Sequence, residues 1–200
     1  MTRPRSPGQR AGLTRERVIA AARALMEQEG LDALTMRALA RRLGVAPNAL
    51  YSHVATKTAL VDDVLDDVLA AVRAPDSDRR DWQGGLRLMM ASTHAVLLEH
   101  PDLVPLYLAR QGARGPNAQR LGEIMLALLA RGGLTGARAR EAQRALIVHA
   151  IGSAAFASGA REAVGPPRAE LVRTFERGLG WLLAGIAATA GVEGSRQRPH

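Results

Sequence analysis

Residues 35–57 read TMRALARRLGVAPNALYSHVATK. Met36, Leu39, Ala40 and Leu43 recur at helical spacing, so one side of a short helix faces a core while Arg37, Arg41 and Arg42 point outward. Thr35 is placed to cap the first free N–H groups of that helix, and Gly44 to end it in the left-handed conformation. Pro47 suits the first turn of a second helix, where a missing N–H costs nothing. Only Ala49 and Leu50 are plainly apolar there, which leaves Asn48, Tyr51, Ser52 and His53 without a core to join. A helix with so little to bury is presented to something.

The charge around this unit has a matching pattern. Residues 1–60 hold 10 basic and 4 acidic groups, whereas residues 61–81 hold 3 and 7. A basic block coinciding with the presented helix fits phosphate contacts. Of 27 basic residues, Lys57 is the only lysine. No cysteine is present, which excludes disulfides, thiolate metal sites and cysteine nucleophiles together. The start, MTRPRSPGQRAG, has no apolar segment behind it, and the apolar runs at 146–160 and 179–190 are interrupted by His149 or too short to span a bilayer. A cytoplasmic location with no membrane partner is the expectation. His94 and His100 are six apart, the wrong spacing for a shared helical face, and no HExxH occurs. Gly132-Gly133-Leu134-Thr135-Gly136 follows no strand and reads as a turn rather than a phosphate loop. Nothing here favours an enzyme, and no cofactor is expected.

The remaining chain reads as helix throughout. A disordered arm over 1–12 carries Arg3, Arg5 and Arg10. A helix over 14–29 starts at the Thr14 cap with Glu16 at its positive end, buries Val18, Ala22, Leu25 and Met26, and stops at Gly30. Thr56 caps a longer helix that keeps Leu60, Val61, Val64, Leu65, Val68, Leu69 and Val72 in register, and RAPDSDRRD at 73–81 marks a boundary. Further helices are predicted over 82–99, 102–110, 117–131, 135–161 and 168–189, with no convincing strand. The fold class is all-α, with an N-terminal three-helix helix-turn-helix domain and a larger C-terminal helical domain.

The pattern LTMRALARRLGVAPNALYSHVATKTAL over 34–60 resembles the DNA-binding domain of the tetracycline-repressor (TetR) family. The matching features are the Leu-Thr opening, the Leu-Ala-x-x-Leu-Gly-Val turn, Leu-Tyr-x-His, and a lysine four residues after the histidine. The resemblance extends over 13–69; beyond it, helix order and length agree, with Trp82 at the start of the next domain and a break at His100–Pro101. By resemblance, Arg37 reaches a base edge, where an arginine binds guanine bidentately. Thr35 touches phosphate, and Pro47, Asn48 and Ala49 form the base-facing start of the reading helix. Tyr51, Ser52 and His53 continue that surface into the groove and backbone, and Lys57 meets phosphate at a helix N-terminus. Ser52, Val54 and Thr58 depart from the aromatic, phenylalanine and glutamate usual at their positions, which bears on sequence preference and not on docking. Read alone, Tyr51 also suits a partly buried role, His53 a cap, and Arg41 and Arg42 a solvated face.

The resemblance implies domains at 13–60 for DNA binding, 61–81 for a connecting helix and boundary, and 82–190 for ligand binding and dimerisation, followed by a loose tail at 191–200. The last two helices suit a homodimer interface, because Gly152, Ala155, Gly159, Gly178, Ala184, Gly185 and Ala188 alternate with Leu146, Ile147, Phe156, Leu179, Trp181, Leu182 and Leu183. Met89, Met90, Thr93, His94, Leu97, Leu106, Tyr107, Met125, Leu128 and His149 are the candidate lining of an effector pocket, mostly apolar and rich in methionine. Met89 stands where the tetracycline branch has a drug-binding asparagine, and Tyr107 where it has a magnesium-binding histidine, so neither tetracycline nor magnesium is expected. The reading is a dimeric, ligand-responsive repressor of a palindromic double-stranded DNA operator, released by a small hydrophobic or amphipathic effector. A non-specific architectural DNA binder and a small-molecule-binding helical enzyme are the alternatives.

Overall fold

The computed structural model describes residues 12–76, 81–159 and 166–196, and among them lie nine α-helices and no strand. The basic arm expected over 1–12 lies outside the described residues apart from Gly12, as do residues 77–80 of the boundary and 197–200 of the tail. The helices are α1 (Arg15–Glu29), α2 (Met36–Leu43), α3 (Pro47–Leu50), α4 (Lys57–Val68), α5 (Trp82–Glu99), α6 (Val104–Ala109), α7 (Pro116–Arg131), α8 (Gly136–Gly159) and α9 (Arg168–Arg196). Four of them start on a threonine or aspartate cap. Thr14, Thr35, Thr56 and Asp81 accept from the amides of Arg17, Ala38, Ala59 and Gly84 at 3.3, 3.1, 3.0 and 2.9 Å.

Two elements end differently from expectation. The helix after Thr56 stops at Val68 and tightens into a 3₁₀ turn at Leu69–Ala71, although Leu69 and Val72 stay buried as their register requires. At the far end, α9 runs to Arg196, so residues 191–196 are helical rather than loose.

The described residues form two compact units divided between Val64 and Leu65, inside α4 and well before the polar 73–81 stretch. The first is a small helical cluster. There α1 packs on α2 and α2 on α3, with Val18, Ala22, Leu25, Met26, Leu34, Leu39 and Leu50 buried. Arg15 donates to the Asp63 carboxylate at 2.6 Å, which ties the start of α1 to α4 within that unit.

In the second unit α8 is the hub, packing against α5, α6, α7 and α9, while α5 also meets α7 and α9. Residues 65–72 belong here because their partners do. The Tyr107 hydroxyl donates to the Leu65 carbonyl at 2.5 Å, and Asp66 accepts from the amides of Asn117 and Ala118.

Candidate nucleic-acid interface and ligand cavity

Within the first unit, α2 and α3 form a turn held by short-range chemistry. Gly44 adopts φ 67°, ψ 33°, and the Val45 amide reaches back to the Ala40 carbonyl at 3.0 Å. Leu50 is fully buried and Val54 nearly so, which seats α3 by its underside. Its upper side is bare. Arg37, Pro47, Asn48, Tyr51, Ser52 and Lys57 are exposed, Ala49 and His53 are half-buried, and Tyr51 keeps 52% of its surface in solvent. An aromatic ring left that open is poor packing but good presentation to a partner.

The hydrogen bonds decide what each group can still offer. Thr35 uses its oxygen to accept from Ala38, so its own proton remains available to a phosphate oxygen. Ser52 has spent its proton on the Ala49 carbonyl at 2.8 Å and can offer only lone pairs. The Lys57 ammonium donates to the Leu31 carbonyl at 3.3 Å, which leaves two of its three protons. Arg42 is committed sideways, to Gln28 at 2.7 Å and Glu29 at 3.8 Å, and thereby braces α2 on α1. Among the described residues nothing holds the Arg37 guanidinium.

The second unit holds a partly open cavity of about 200 Å³. Met89, Met90, Thr93, Leu97, Tyr107 and Met125 line it, whereas His94, Leu106, Leu128 and His149 do not. Its polar groups include Gln111 and Gln143, which sequence reasoning missed, and among the described residues no lining residue carries a formal charge. Thr93 donates to the Met89 carbonyl at 2.9 Å and Gln143 to the Gly122 carbonyl at 3.0 Å, which engages the threonine proton and one of the two glutamine amide protons. Burial, aided by the Asp66 and Asp67 carboxylates, pushes the Tyr107 phenol above its ordinary range.

The two histidines do something else. His94 stacks on Phe175 with centroids 4.0 Å apart and planes 7° from parallel, and His149 stacks on the same ring at 4.9 Å. His149 also pairs its Nε2 with the Phe175 carbonyl at 3.1 Å, while the His94 Nε2 has no hydrogen-bond partner among the described residues. Burial, then repulsion from His149 and Arg168, lowers the His94 pKa to about 4. No group of three or more His, Cys, Asp or Glu side chains that could hold a metal ion occurs among the described residues.

A second concavity, of about 1290 Å³, runs along α8 and α9. Val148, Trp181, Leu182 and Ile186 line it, with Trp181 71% exposed; Phe156, also on α8, is 89% exposed. The residues read as an interface therefore divide. Leu146, Leu179 and Leu183 are buried within the chain and Ile147 faces the cavity, whereas Phe156 and Trp181 face solvent.

Comparisons with known proteins place this geometry. Residues 18–64 match the description "Bacterial regulatory proteins, tetR family", and residues 74–170 match "Tetracyclin repressor-like, C-terminal domain". An HTH-type transcriptional regulator of Saccharopolyspora erythraea is 34% identical over 90% of this chain and 87% of its own length. The structure of the Streptomyces coelicolor protein ActR in complex with actinorhodin is similar with a TM-score of 0.77 and 30% identity, over 90% of this chain and all of that one. A structure of BioQ with its double-stranded DNA operator is similar with a TM-score of 0.71 and 27% identity, over 88% of this chain and 99% of that one. Among the described residues no helix is long and apolar enough to cross a membrane.

Proposed function

The chain belongs to the tetR family of bacterial regulatory proteins, and we propose on that premise that it is a dimeric, ligand-responsive repressor of a palindromic operator. Membership makes it a DNA-binding transcriptional regulator rather than an enzyme. The observation that carries the rest is one chain holding both a bare reading surface and a partly open cavity whose described lining is uncharged. Arg37 reads a base edge in the major groove. Pro47, Asn48 and Ala49 face bases at the start of α3, Thr35, Tyr51, His53 and Lys57 fix register on the backbone, and Ser52 offers its lone pairs to a base-edge donor. Two copies meet through α8 and α9, where Trp181 and Phe156 lose water they otherwise face.

The cavity takes a small hydrophobic or amphipathic effector, a reading supported by the ActR complex with actinorhodin. Binding favours an arrangement in which α4 shifts and the spacing of the two reading surfaces no longer fits the operator. The response is bounded by the effector's differential affinity for the two arrangements. Selection of bound sequences from a random duplex library at near-physiological salt tests the reading, repeated with Arg37→Ala. The expected outcome is a palindrome whose preference relaxes at one base pair per half-site in the variant. Affinity with no enriched motif points instead to an architectural binder driven by arginine–phosphate contacts.

A further inference from the structure

The N-terminus of α7 is capped from outside its own segment. Gly115 stands at the cap position and brings no side chain, so no local group satisfies the first amides. The N–H groups of Asn117 and Ala118 donate instead to the two Asp66 carboxylate oxygens at 3.0 and 2.8 Å. The Asn117 side-chain amide adds a bond to the same carboxylate at 3.1 Å and another to the Asp66 carbonyl at 3.2 Å. Asp66 is 4% exposed, the one buried carboxylate in its run of four in α4. A charge that deep persists because ionic hydrogen bonds replace its water. Gly115 approaches it so closely that a Cβ there would lie 2.3 Å from the carboxylate carbon.

Asp66 has a neighbour in the same position. The Leu65 carbonyl accepts the Tyr107 hydroxyl. Two consecutive residues of α4 are thus tied to two walls of the cavity: Tyr107 lines it from α6, and Ala118, Leu121, Gly122 and Met125 line it from α7.

We propose that Asp66 is the positioning residue through which occupancy of the cavity reaches α4. The inference rests on the ligand-responsive reading above and adds which bond carries the response. A group that fills the cavity displaces α7 at the turns carrying Ala118 and Gly122. The charge-assisted bonds to Asp66 are short and directional, and they resist stretching more than the apolar contacts around them. The helix that begins with Lys57 therefore moves with α7 instead of separating from it.

A double-mutant cycle tests this without a known effector. Gly122→Phe places a ring in the cavity from α7, where a Cβ meets only the Gln143 amide nitrogen at 3.2 Å. Asp66→Asn keeps the shape of the cap but turns an N–H₂ group toward an N–H donor. Affinity for the palindrome recovered by selection is measured at fixed salt for the wild type, both single variants and the double variant, with melting and dimer mass checked for each. Gly122→Phe is expected to weaken operator binding roughly tenfold, inside the range usual for coupled sites, and by less than about twofold once Asp66→Asn is present. Equal weakening in both backgrounds overturns the proposal, since the response then bypasses Asp66. Wild-type operator affinity in a folded Gly122→Phe protein overturns the ligand-responsive reading itself, and this proposal with it. If Asp66→Asn does not fold, Gly115→Ala displaces the carboxylate from the other side with its charge intact and takes its place in the cycle.

Discussion

His94 makes the protein acid-labile in a window that the structure sets. Its ring lies against Phe175 with His149 beyond and Arg168 near, is 2% exposed, and has an Nε2 with no partner among the described residues to share a proton. The folded pKa is about 4 against an ordinary 6.5. In the unfolded chain the ring takes up a proton on passing below 6.5, and in the folded chain only near 4, so the unfolded state binds more protons between the two. Stability from this group is fully present above 6.5, falls as pH drops toward 4, and is flat below. At about 1.4 kcal/mol per pKa unit the full loss is roughly 3 kcal/mol, of which about 2 kcal/mol is gone by pH 5. His94→Phe removes the titration and keeps an aromatic ring on Phe175. Urea unfolding of both proteins at equal protomer concentration, at pH 7.5 and pH 5, isolates the term, because every other titrating group is common to both. The variant is expected to gain about 2 kcal/mol on the wild type over that interval. A difference between the two proteins that stays constant with pH means that His94 is not held neutral by its surroundings.

Trp181→Glu puts a charge on the most open aromatic of the α8–α9 groove; loss of an anchor of that size is expected to cost at least about 2 kcal/mol of association, read as a shift from dimer to monomer in sedimentation velocity. An unchanged mass removes this groove as the interface. Lys57→Ala is expected to weaken binding to all duplexes alike and to reduce the slope of log affinity against log salt by about one, as loss of one phosphate contact requires; a change in the selected motif instead makes Lys57 a base reader. Leu50→Ala deletes the fully buried residue that seats α3, and a loss of about 2–5 kcal/mol in unfolding free energy is expected. A loss below about 1 kcal/mol indicates that α3 is held by its turn alone.

What the sequence made legible is what can be written in three or four residues. Thr14, Thr35 and Gly44 mark helix ends because each meets an amide or carbonyl within a turn of itself. The cavity is a different kind of object. On α5, Met89, Met90, Thr93 and Leu97 cover a face about 100° wide, and His94 stands about 40° past its edge at Met90 and meets α9 instead. On α8, Gln143, Ile147 and Ile151 recur every four residues along the cavity face. His149 is two residues from Ile147, hence on the opposite side, where it lines the groove. Residue type drew both histidines into the expected pocket; helical phase puts them outside it. The short α3 follows the same logic in reverse, since a helix with one fully buried residue has nothing to extend along.

Asp66 was the least legible of all, and the reason is physical. In DDVLDD it is one of four similar carboxylates, and nothing within a turn of it separates the buried one from its neighbours. Its partners lie 51 and 52 residues away. The only local trace is on the other side. Gly115-Pro116-Asn117 opens a sixteen-residue helix with a proline at its first position and a glycine where a capping side chain belongs. A helix start that supplies no cap of its own, yet is half-buried, must be satisfied from elsewhere, since unpaired amides away from water are costly. The missing cap therefore marks a long-range bond before its donor or acceptor is known. It also has a use: a cap within the same segment moves with its helix, whereas a cap lent by α4 makes any displacement of α7 an event in α4.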